Sequence, residues 1–516
     1  MMNHVVRRCL RLLWLLPGLA WGQPEPANTN YWILLEGKDI TAPPALSPAA
    51  LARRQLQQLP IDDTDRPVSA AYLHQLQQTG IRPLRQSRWL NAVSARLTYE
   101  QRRQVLALPF VKSIQPIDPA LIITATEPVS KPQLAPVMTQ IQAPDFVRAG
   151  LTGRFVTIGV IDAGFFGADS ANALKHVFSR EGVRLVRDYV HPNRPKTNLL
   201  RTLESMSDFH GTEVLAAIAG TDPTENIQYG LATDATFYLA RTDQGNREYR
   251  GEEDNWVAAM EWMDSLGVRL INTSLGYAKG MSNPKENYEP RQMDGHTSLI
   301  SRAAQIAADK KGILIVVSAG NEGDDRSWRI ISTPADAQGV LAIGATNAKL
   351  WNRIGYSSIG PESLPYLKPN VSCFSLYGTS LSAPVITGFA ACLMQANPKL
   401  TNKQVMEIIE KSSHLYPYGN NYVGYGVPQA SRALALVKNQ SLPATARSIK
   451  ASGKSLTLDV NTAEPAVSVF HKKDATHVLQ QEAAKVSSGK LTLKRSSGEK
   501  QTTVDLIREV IEVVWE

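Results

Sequence analysis

Three polar side chains of this 516-residue chain, Asp162, His210 and Ser380, have the types that nucleophilic attack on a carbonyl requires. A serine is a weak nucleophile until a base takes its proton, and a neutral imidazole titrates near neutral pH. A carboxylate can hold that imidazole in one tautomer. Each residue also has an ordinary structural interpretation, as a turn residue, a helix-start histidine and an N-capping serine. Taken singly the structural interpretation is favoured, whereas the set predicts acyl-transfer chemistry.

The surroundings of each residue favour the catalytic interpretation. Asp162 ends an apolar run at residues 158–161, where a buried carboxylate needs a partner. His210 is followed by a glycine and begins a predicted helix. Ser380 lies in the sequence Gly-Thr-Ser-Leu-Ser-Ala-Pro at residues 378–384, before an apolar run at residues 385–394. Gly378 predicts a tight turn, and Pro384 fits the first turn or so of the following helix.

Residues 136–437 alternate short apolar strands with amphipathic helices. This pattern predicts a parallel sheet covered on both faces, with ligands bound outside the carboxyl ends of the strands. Asp162, Ser274 and Asn321 fall at or just after predicted strand ends. Strands are predicted at residues 156–161, 236–240, 270–274, 313–317 and 341–345, and helices at residues 211–220, 253–266, 298–310 and 379–397.

Three other regions flank this unit. Residues 23–117 are predicted to hold a small α+β domain whose elements begin at residue 31, and residues 118–135 are predicted to be an exposed linker suited to cleavage. Residues 441–516 alternate apolar with polar side chains and predict a small β-rich appendage, in which residues 507–514 are a strand or a helix.

The chain order Asp…His…Ser on an α/β pattern is the order found in subtilisin. The sequences at residues 158–164, 210–212 and 378–384 resemble the aspartate, histidine and serine motifs of subtilisin-like serine proteases, the subtilase family, peptidase family S8. Residues 318–323 resemble its oxyanion-hole segment. Residues 252–257 and 272–277 look closest to Bacteroidetes-type secreted members. The resemblance implies a three-layer subtilisin-like α/β fold with a mostly parallel sheet, an I9-like propeptide at residues 23–117, and a secreted serine endopeptidase made as a zymogen.

The resemblance also assigns roles to residues. It implies a triad of Asp162, His210 and Ser380, with the Asn321 amide and the Ser380 N–H as oxyanion-hole donors. It places the first specificity pocket between two wall segments, Ser274, Leu275 and Gly276 on one side and Ser318, Ala319 and Gly320 on the other. The partners it implies are protein or peptide substrates and the chain's own propeptide as an intramolecular inhibitor, and we expect a monomer.

Composition limits the other partners and the compartment. The net charge is +8, but the basic residues are scattered among nearly as many acidic ones, which argues against a nucleic-acid partner. Residues 1–22 read as an export signal, too short and interrupted to span a bilayer, and no later apolar run reaches spanning length.

Cys373 and Cys392 are expected to be buried free thiols. No cofactor is expected; a structural calcium ion is left open, although no acidic cluster has the spacing of a calcium loop.

Two alternatives to the protease remain at this point. One is a non-enzymatic binding module on a protease fold, since fold alone does not determine function. The other is a surface adhesin whose β-rich C-terminal region carries the activity. An intact triad argues against the first, and nothing in the sequence decides the second.

Overall fold

The computed structural model of the chain describes residues 29–117, 131–222, 227–245, 251–279 and 287–516. The predicted signal peptide at residues 1–22 and residues 118–130 of the predicted linker lie outside these ranges. The described residues form an N-terminal α+β unit, a central α/β unit and a β-rich C-terminal unit, in the order predicted.

The N-terminal unit is an antiparallel four-stranded sheet with two of its three helices packed on one face. Its elements are β1 (Thr29–Leu35), α1 (Pro48–Leu56), α2 (Ala70–Gln78), β2 (Pro83–Ser87), β3 (Ala92–Leu97), α3 (Tyr99–Leu106) and β4 (Val111–Ile117), and the strand order is β2-β3-β1-β4. Alternate residues of β1 point to opposite faces. Tyr31 and Ile33 enter the unit's own core with α2 and α3, whereas Trp32 and Leu34 pack against the central unit.

The central unit is built on a seven-stranded parallel sheet, which confirms the predicted fold class. Its helices are α4 (Lys131–Gln140), α5 (Ala143–Arg148), α6 (Lys175–Ser179), α7 (His210–Ala219), α8 (Gly251–Ser265), α9 (Leu299–Lys311), α10 (Ser382–Ala396), α11 (Asn402–Ser412) and α12 (Ala430–Val437). Its strands are β5 (Thr157–Asp162), β6 (Val183–Asp188), β7 (Thr221–Asp222), β8 (Ile227–Gln228), β9 (Thr236–Arg241), β10 (Leu270–Thr273), β11 (Leu314–Ser318), β12 (Leu341–Thr346) and β13 (Val371–Phe374).

The order across the large sheet is β13-β12-β11-β10-β5-β9-β6, while β7 and β8 form a separate antiparallel ribbon. One face of the sheet packs against α7, α10, α11 and α12, and the other against α8 and α9. The apolar composition of the central strands follows from burial on both faces. β5, which ends at Asp162, therefore lies inside the sheet between β10 and β9.

Two helices differ from simple sequence expectations. α4 begins at Lys131, inside the segment predicted as linker, and it runs through Pro136 with the loss of one backbone hydrogen bond. The stretch Thr379–Ala396 has the length and composition of a membrane span, but 83% of it is buried inside the protein, as in the core helix of a globular unit.

The C-terminal unit is β-rich, as predicted, and residues 507–514 contribute a strand. Its strands are β14 (Ala446–Ala451), β15 (Ser455–Asp459), β16 (Ala466–Lys472), β17 (Val478–Lys485), β18 (Lys490–Lys494), β19 (Gln501–Asp505) and β20 (Val510–Trp515). Five of them form a sheet in the order β14-β20-β19-β16-β17, and β15 pairs with β18.

This unit is docked on the central one through a shared apolar cluster. Phe470, Val478 and Val510 pack with Leu415 and Val423 of the central unit, and all five are buried. Polar contacts surround the cluster. The imidazole of His414 accepts at Nδ1 from Val427 N (2.8 Å), and its Nε2 meets Asp505 Oδ2 at 3.0 Å. The side-chain amide of Gln481 pairs with both backbone groups of Arg353.

We expect Phe470→Ala to destabilise the whole protein by about 3–5 kcal/mol, because its fully buried ring lies in the cluster that joins two units. Thermal unfolding followed by calorimetry should show one transition that moves to lower temperature. Leu479→Ala, at a side chain that is 43% exposed, is the matched control and should change the melting temperature little. An unchanged transition for the Phe470 variant would contradict the shared core.

Candidate active site

Asp162 lies at the carboxyl end of β5 and is fully buried. Its Oδ1 accepts a hydrogen bond from the next backbone N–H, Ala163 N, at 2.8 Å. The same oxygen lies 2.7 Å from Nδ1 of His210, whose ring is itself 5% exposed. A carboxylate without water needs such a partner, and a histidine Nδ1–H supplies it.

His210 is the first residue of α7, and the chain around it is tied to the end of β5. A capping box between Ser205 and Asp208 forms the short 3₁₀ turn that precedes the helix. The Asp208 carbonyl accepts from Phe166 N at 2.8 Å. Gly211 is needed for close approach, because a Cβ there would lie 2.3 Å from the carbonyl oxygen of Gly164. These contacts fix the distance between the loop after Asp162 and the start of α7.

Ser380 lies in a 3₁₀ turn, Thr379–Leu381, immediately before α10. The preceding Gly378 has φ = +99°, a conformation that favours glycine, so the predicted tight turn is present. α7 packs against both this turn and α10, which brings the elements that carry His210 and Ser380 together. The Ser380 hydroxyl faces the Ser274 carbonyl at 3.4 Å, and the Ser274 hydroxyl donates to the Ser380 carbonyl at 2.9 Å.

Asn321 follows β11 and is held by the same turn. Its Oδ1 accepts from Thr379 N at 2.9 Å and from the Thr379 hydroxyl at 3.1 Å. Because the carbonyl end of the amide is fixed to the turn, the Nδ2 donor end points away from Thr379. The Asn321 side chain is exposed, so that donor is open to a ligand.

The two predicted pocket walls follow neighbouring parallel strands. Ser274, Leu275 and Gly276 come directly after β10, and Ser318, Ala319 and Gly320 end and follow β11. Gly320 has φ = +110°, and a Cβ there would lie 2.7 Å from Glu322 Oε2. Both walls therefore lie at the sheet edge that also holds Asp162.

Opposing effects act on the pKa of His210. Burial lowers the pKa of the imidazole, but the charge of Asp162 and its hydrogen bond outweigh burial, with smaller contributions from Glu213 and Asp243, so that the pKa is raised above its ordinary value. The geometry thus favours the imidazolium, the form a base takes after it accepts a proton.

A second buried carboxyl, Asp243, lies beside this pair and was not predicted from the sequence. It accepts from the hydroxyls of Tyr277 (2.9 Å) and Thr242 (2.5 Å), and Thr242 N in turn donates to the Asp162 carbonyl at 3.1 Å. Burial raises the pKa of Asp243 to about 7, and the nearby charge of Asp162 acts in the same direction. Asp243 thus connects the end of β5, through Thr242, with Tyr277, which follows the first predicted wall segment.

Other charged groups behind the site were also missed by sequence reasoning. Arg241 donates to the Ala163 carbonyl at 3.0 Å and pairs with Asp208 at 2.9 Å. Glu322 accepts from the Ser358 hydroxyl at 3.0 Å and the Asn321 N–H at 2.8 Å. The available signal was that a charged residue beside a buried strand needs a partner, but the partners are distant in sequence and could not be named.

The two cysteines that follow the signal-like segment, Cys373 and Cys392, lie in the central unit. Cys373 and Cys392 are buried and unpaired, as predicted. Within the described ranges, no group of three or more His, Cys, Asp or Glu side chains is arranged to hold a metal ion. The expectation that the protein needs no cofactor stays a prediction.

The parallel sheet, the Asp162–His210 pair at its edge and the adjoining serine turn define a serine peptidase of the subtilisin type. Residues 153–426 match the Subtilase family, Peptidase S8, and the chain belongs to this family. It is a hydrolase acting on peptide bonds. Residues 30–131 match the Peptidase S8 propeptide domain, Bacteroidota, so the N-terminal α+β unit is a propeptide. The subgroup expected from residues 252–257 and 272–277 agrees with this match.

Similar proteins agree with this assignment. Subtilisin NAT of Bacillus subtilis subsp. natto is 28% identical over 302 residues, which cover 56% of this chain and 68% of that protein. Subtilisin of Bacillus pumilus is 28% identical over 302 residues, covering 56% of this chain and 94% of that protein. A crystal structure of the epidermin leader peptide processing serine protease from Staphylococcus aureus shares the fold, with a TM-score of 0.55, 15% identity, and coverage of 79% of this chain and 99% of that one.

Replacing Asp243 by Asn should lower the pKa of the His210 imidazole, because one of the negative charges that favour the imidazolium is removed. The effect should be largest above pH 7, where the Asp243 carboxyl, with its pKa of about 7, is ionised. An NMR titration of the His210 ring in the Ser380→Ala chain measures it. Asp309→Asn, at an exposed acid of α9, removes the same charge elsewhere and should leave the titration unchanged. Equal pKa values in the two variants would contradict the coupling.

Proposed function

We propose that this protein is exported as an inactive zymogen and becomes a secreted serine endopeptidase that cleaves protein substrates through Asp162, His210 and Ser380. The observation that carries the proposal is the 2.7 Å hydrogen bond between Asp162 and His210, buried at the carboxyl end of β5 beside the turn that presents Ser380. The proposal of export rests on the signal-like composition of residues 1–22, and that of a zymogen rests on the match of residues 30–131 to a propeptide domain.

In the proposed mechanism the Ser380 hydroxyl turns from the Ser274 carbonyl towards Nε2 of His210 when substrate binds. Catalytic hydrogen bonds are often long before the substrate complex forms. His210 takes the serine proton as Ser380 attacks the peptide carbonyl, and an acyl-enzyme forms when the imidazolium gives that proton to the leaving amine. Asp162 stays ionised throughout, holds the proton on Nδ1 and stabilises the imidazolium. A water molecule then attacks the acyl-enzyme in the same way, with His210 again as the base, and the carboxylic acid product is released.

The oxyanion of the tetrahedral intermediate would be bound by the Nδ2 of Asn321 and the backbone N–H of Ser380. The contact of the Asn321 Oδ1 with Thr379 supports this role, because a donor that is already oriented needs no reorganisation during the reaction.

The substrate would bind as an extended strand along the edge formed by the two wall segments. Main-chain hydrogen bonds would supply affinity, and the first pocket would supply selectivity. Gly276 and Gly320 carry no side chain, and we propose a broad preference of the first pocket for large apolar residues. Before activation the propeptide would block this cleft, and the mature enzyme would act as a monomer.

Ser380→Ala should abolish proteolysis and leave the chain uncut between propeptide and enzyme, because the only proposed nucleophile is gone. Side-by-side N-terminal sequencing of the wild-type and variant proteins reads the cut, and a fluorophosphonate probe should label the wild type alone. Ser431→Ala, at an exposed surface serine, is the control and should behave as the wild type. Casein cleavage or probe labelling by the Ser380 variant would refute the mechanism, and an inert wild-type chain would favour a binding module.

Asn321→Ala should lower kcat by about 10²–10³-fold with little change in KM, a range that comes from the equivalent donor of subtilisin itself. Steady-state kinetics on a peptide substrate tests this, and Asn193→Ala at an exposed loop is the matched control. A loss expressed mainly in KM would show that the amide binds the ground state instead.

A further inference from the structure

The propeptide contacts the enzyme at a second place, far from the cleft. The segment at residues 36–66 joins β1 to α2 and contains α1; we call it the arm. The propeptide's own core is built by its sheet with α2 and α3, whereas the buried side chains of α1 are Ala50, Arg53 and Arg54. Leu51 and Leu56 of the same helix are 36% and 39% exposed. The buried face of α1 is thus its arginine face, and it is turned to the central unit.

The two arginines cap the ends of two enzyme helices. The guanidinium of Arg53 donates to the Val268 carbonyl just beyond α8, and the Ser47 N–H at the start of α1 donates to the Ser265 carbonyl at 3.0 Å. The guanidinium of Arg54 donates to the Lys311 carbonyl at the end of α9, at 2.8 Å. The last carbonyls of a helix have no partner within the helix, and the arm supplies donors to both helices.

The same guanidinium groups neutralise a carboxylate of the enzyme. Asp264 lies in the last turn of α8, where the helix dipole disfavours a negative charge, and its side chain is fully buried. Arg53 pairs with it directly, Arg54 lies 3.2 Å from it, and Arg88 of the propeptide lies 2.5 Å from its other oxygen. Without the propeptide this carboxylate would lose all three cations.

An ion pair of the opposite polarity, from an enzyme lysine to a propeptide carboxylate, adds to these contacts. The buried ammonium of Lys311 lies 2.8 Å from Asp65 of the arm, and Asp65 also accepts from Arg54 at 2.7 Å. The arm also lies close to the backbone of Gly267, because a Cβ at that position would be only 2.5 Å from the Cβ of Ala49. Buried, mutually satisfied charges of this kind are costly to break one partner at a time.

This contact lies at the end of α8 that is remote from the candidate active site. The amino end of α8 lies near the candidate active site, where Asn255 donates to the Thr242 carbonyl. The 15-residue helix is about 22 Å long, so its carboxyl end lies at the opposite edge of the sheet.

We infer that the carboxyl ends of α8 and α9 form a guanidinium-binding site, separate from the cleft, that accepts the Arg53–Arg54 pair and retains the propeptide after the connecting chain is cut. The inference rests on the proposed zymogen function for its biological role. The binding itself can be tested without catalysis.

The test uses the full Ser380→Ala chain with a recognition sequence for a site-specific protease inserted within residues 118–130. After cutting, the dissociation constant of the propeptide is measured by dilution and size-exclusion chromatography. Arg53→Ala with Arg54→Ala should raise that constant about 100-fold or more, because the truncation removes two of the three cations around Asp264 and the side-chain donors to the carbonyls of Asp264, Val268 and Lys311. Arg96→Ala with Arg103→Ala removes the same charge from exposed propeptide positions and should change it less than threefold.

Equal constants for the two double variants would overturn the inference. If the alanine pair does not fold, Arg53→Lys with Arg54→Lys decides, since it keeps both charges but loses the forked donors. In that pair the dissociation constant should be about tenfold higher than in the cut Ser380→Ala parent, and a constant within twofold of the parent's would overturn the site. Because the Ser380→Ala chain is cut by an added protease, an error in the proposed catalytic mechanism would leave this measurement valid.

Discussion

A carboxylate without access to water is the constraint on which the rest of this structure depends. Asp162 ends the strand at the middle of a sheet that is covered on both faces, so its charge must be met by protein groups. His210 meets it directly, and the close approach of the loop after Asp162 to the start of α7 holds the two side chains in contact. The serine turn and the asparagine then follow from the helices and strands that adjoin this pair.

The site residues and the parallel sheet could be predicted because local sequence patterns indicate them. Asp162, His210, Ser380 and Asn321 each stand at an element boundary that apolar runs, glycines and prolines mark in the sequence, and the parallel sheet follows from strands alternating with helices. The strand Pro83–Ser87 was not predicted because its sequence, Pro-Leu-Arg-Gln-Ser, has no run of alternating apolar residues. Residues 118–135 lose apolar periodicity and gain Pro, Ser and Thr, which predicts a linker, yet α4 begins at Lys131 within that range.

The charged groups behind the site could not be predicted for a different reason. Asp243, Arg241 and Glu322 find partners across strands and loops, so their environment is a property of the packed sheet rather than of their neighbours in sequence. The buried arginines of α1 are the clearest example. By composition they read as the solvent face of an amphipathic helix, and only the position of α8 and α9 shows that they face protein. Domain-to-domain contacts of this kind carry no periodic signal.

The last strand of the C-terminal unit has a consequence for the order of events during synthesis. β20 lies inside its sheet between β14 and β19, and its Val510 belongs to the cluster that covers Leu415 and Val423. A chain made from its amino end can assemble the propeptide early, but the surface around residues 415–423 stays uncovered until residues 510–515 have been added. The cluster that joins the two units is therefore complete only after β20 has been synthesised, and a product that lacks this strand would expose the apolar side chains of Leu415 and Val423.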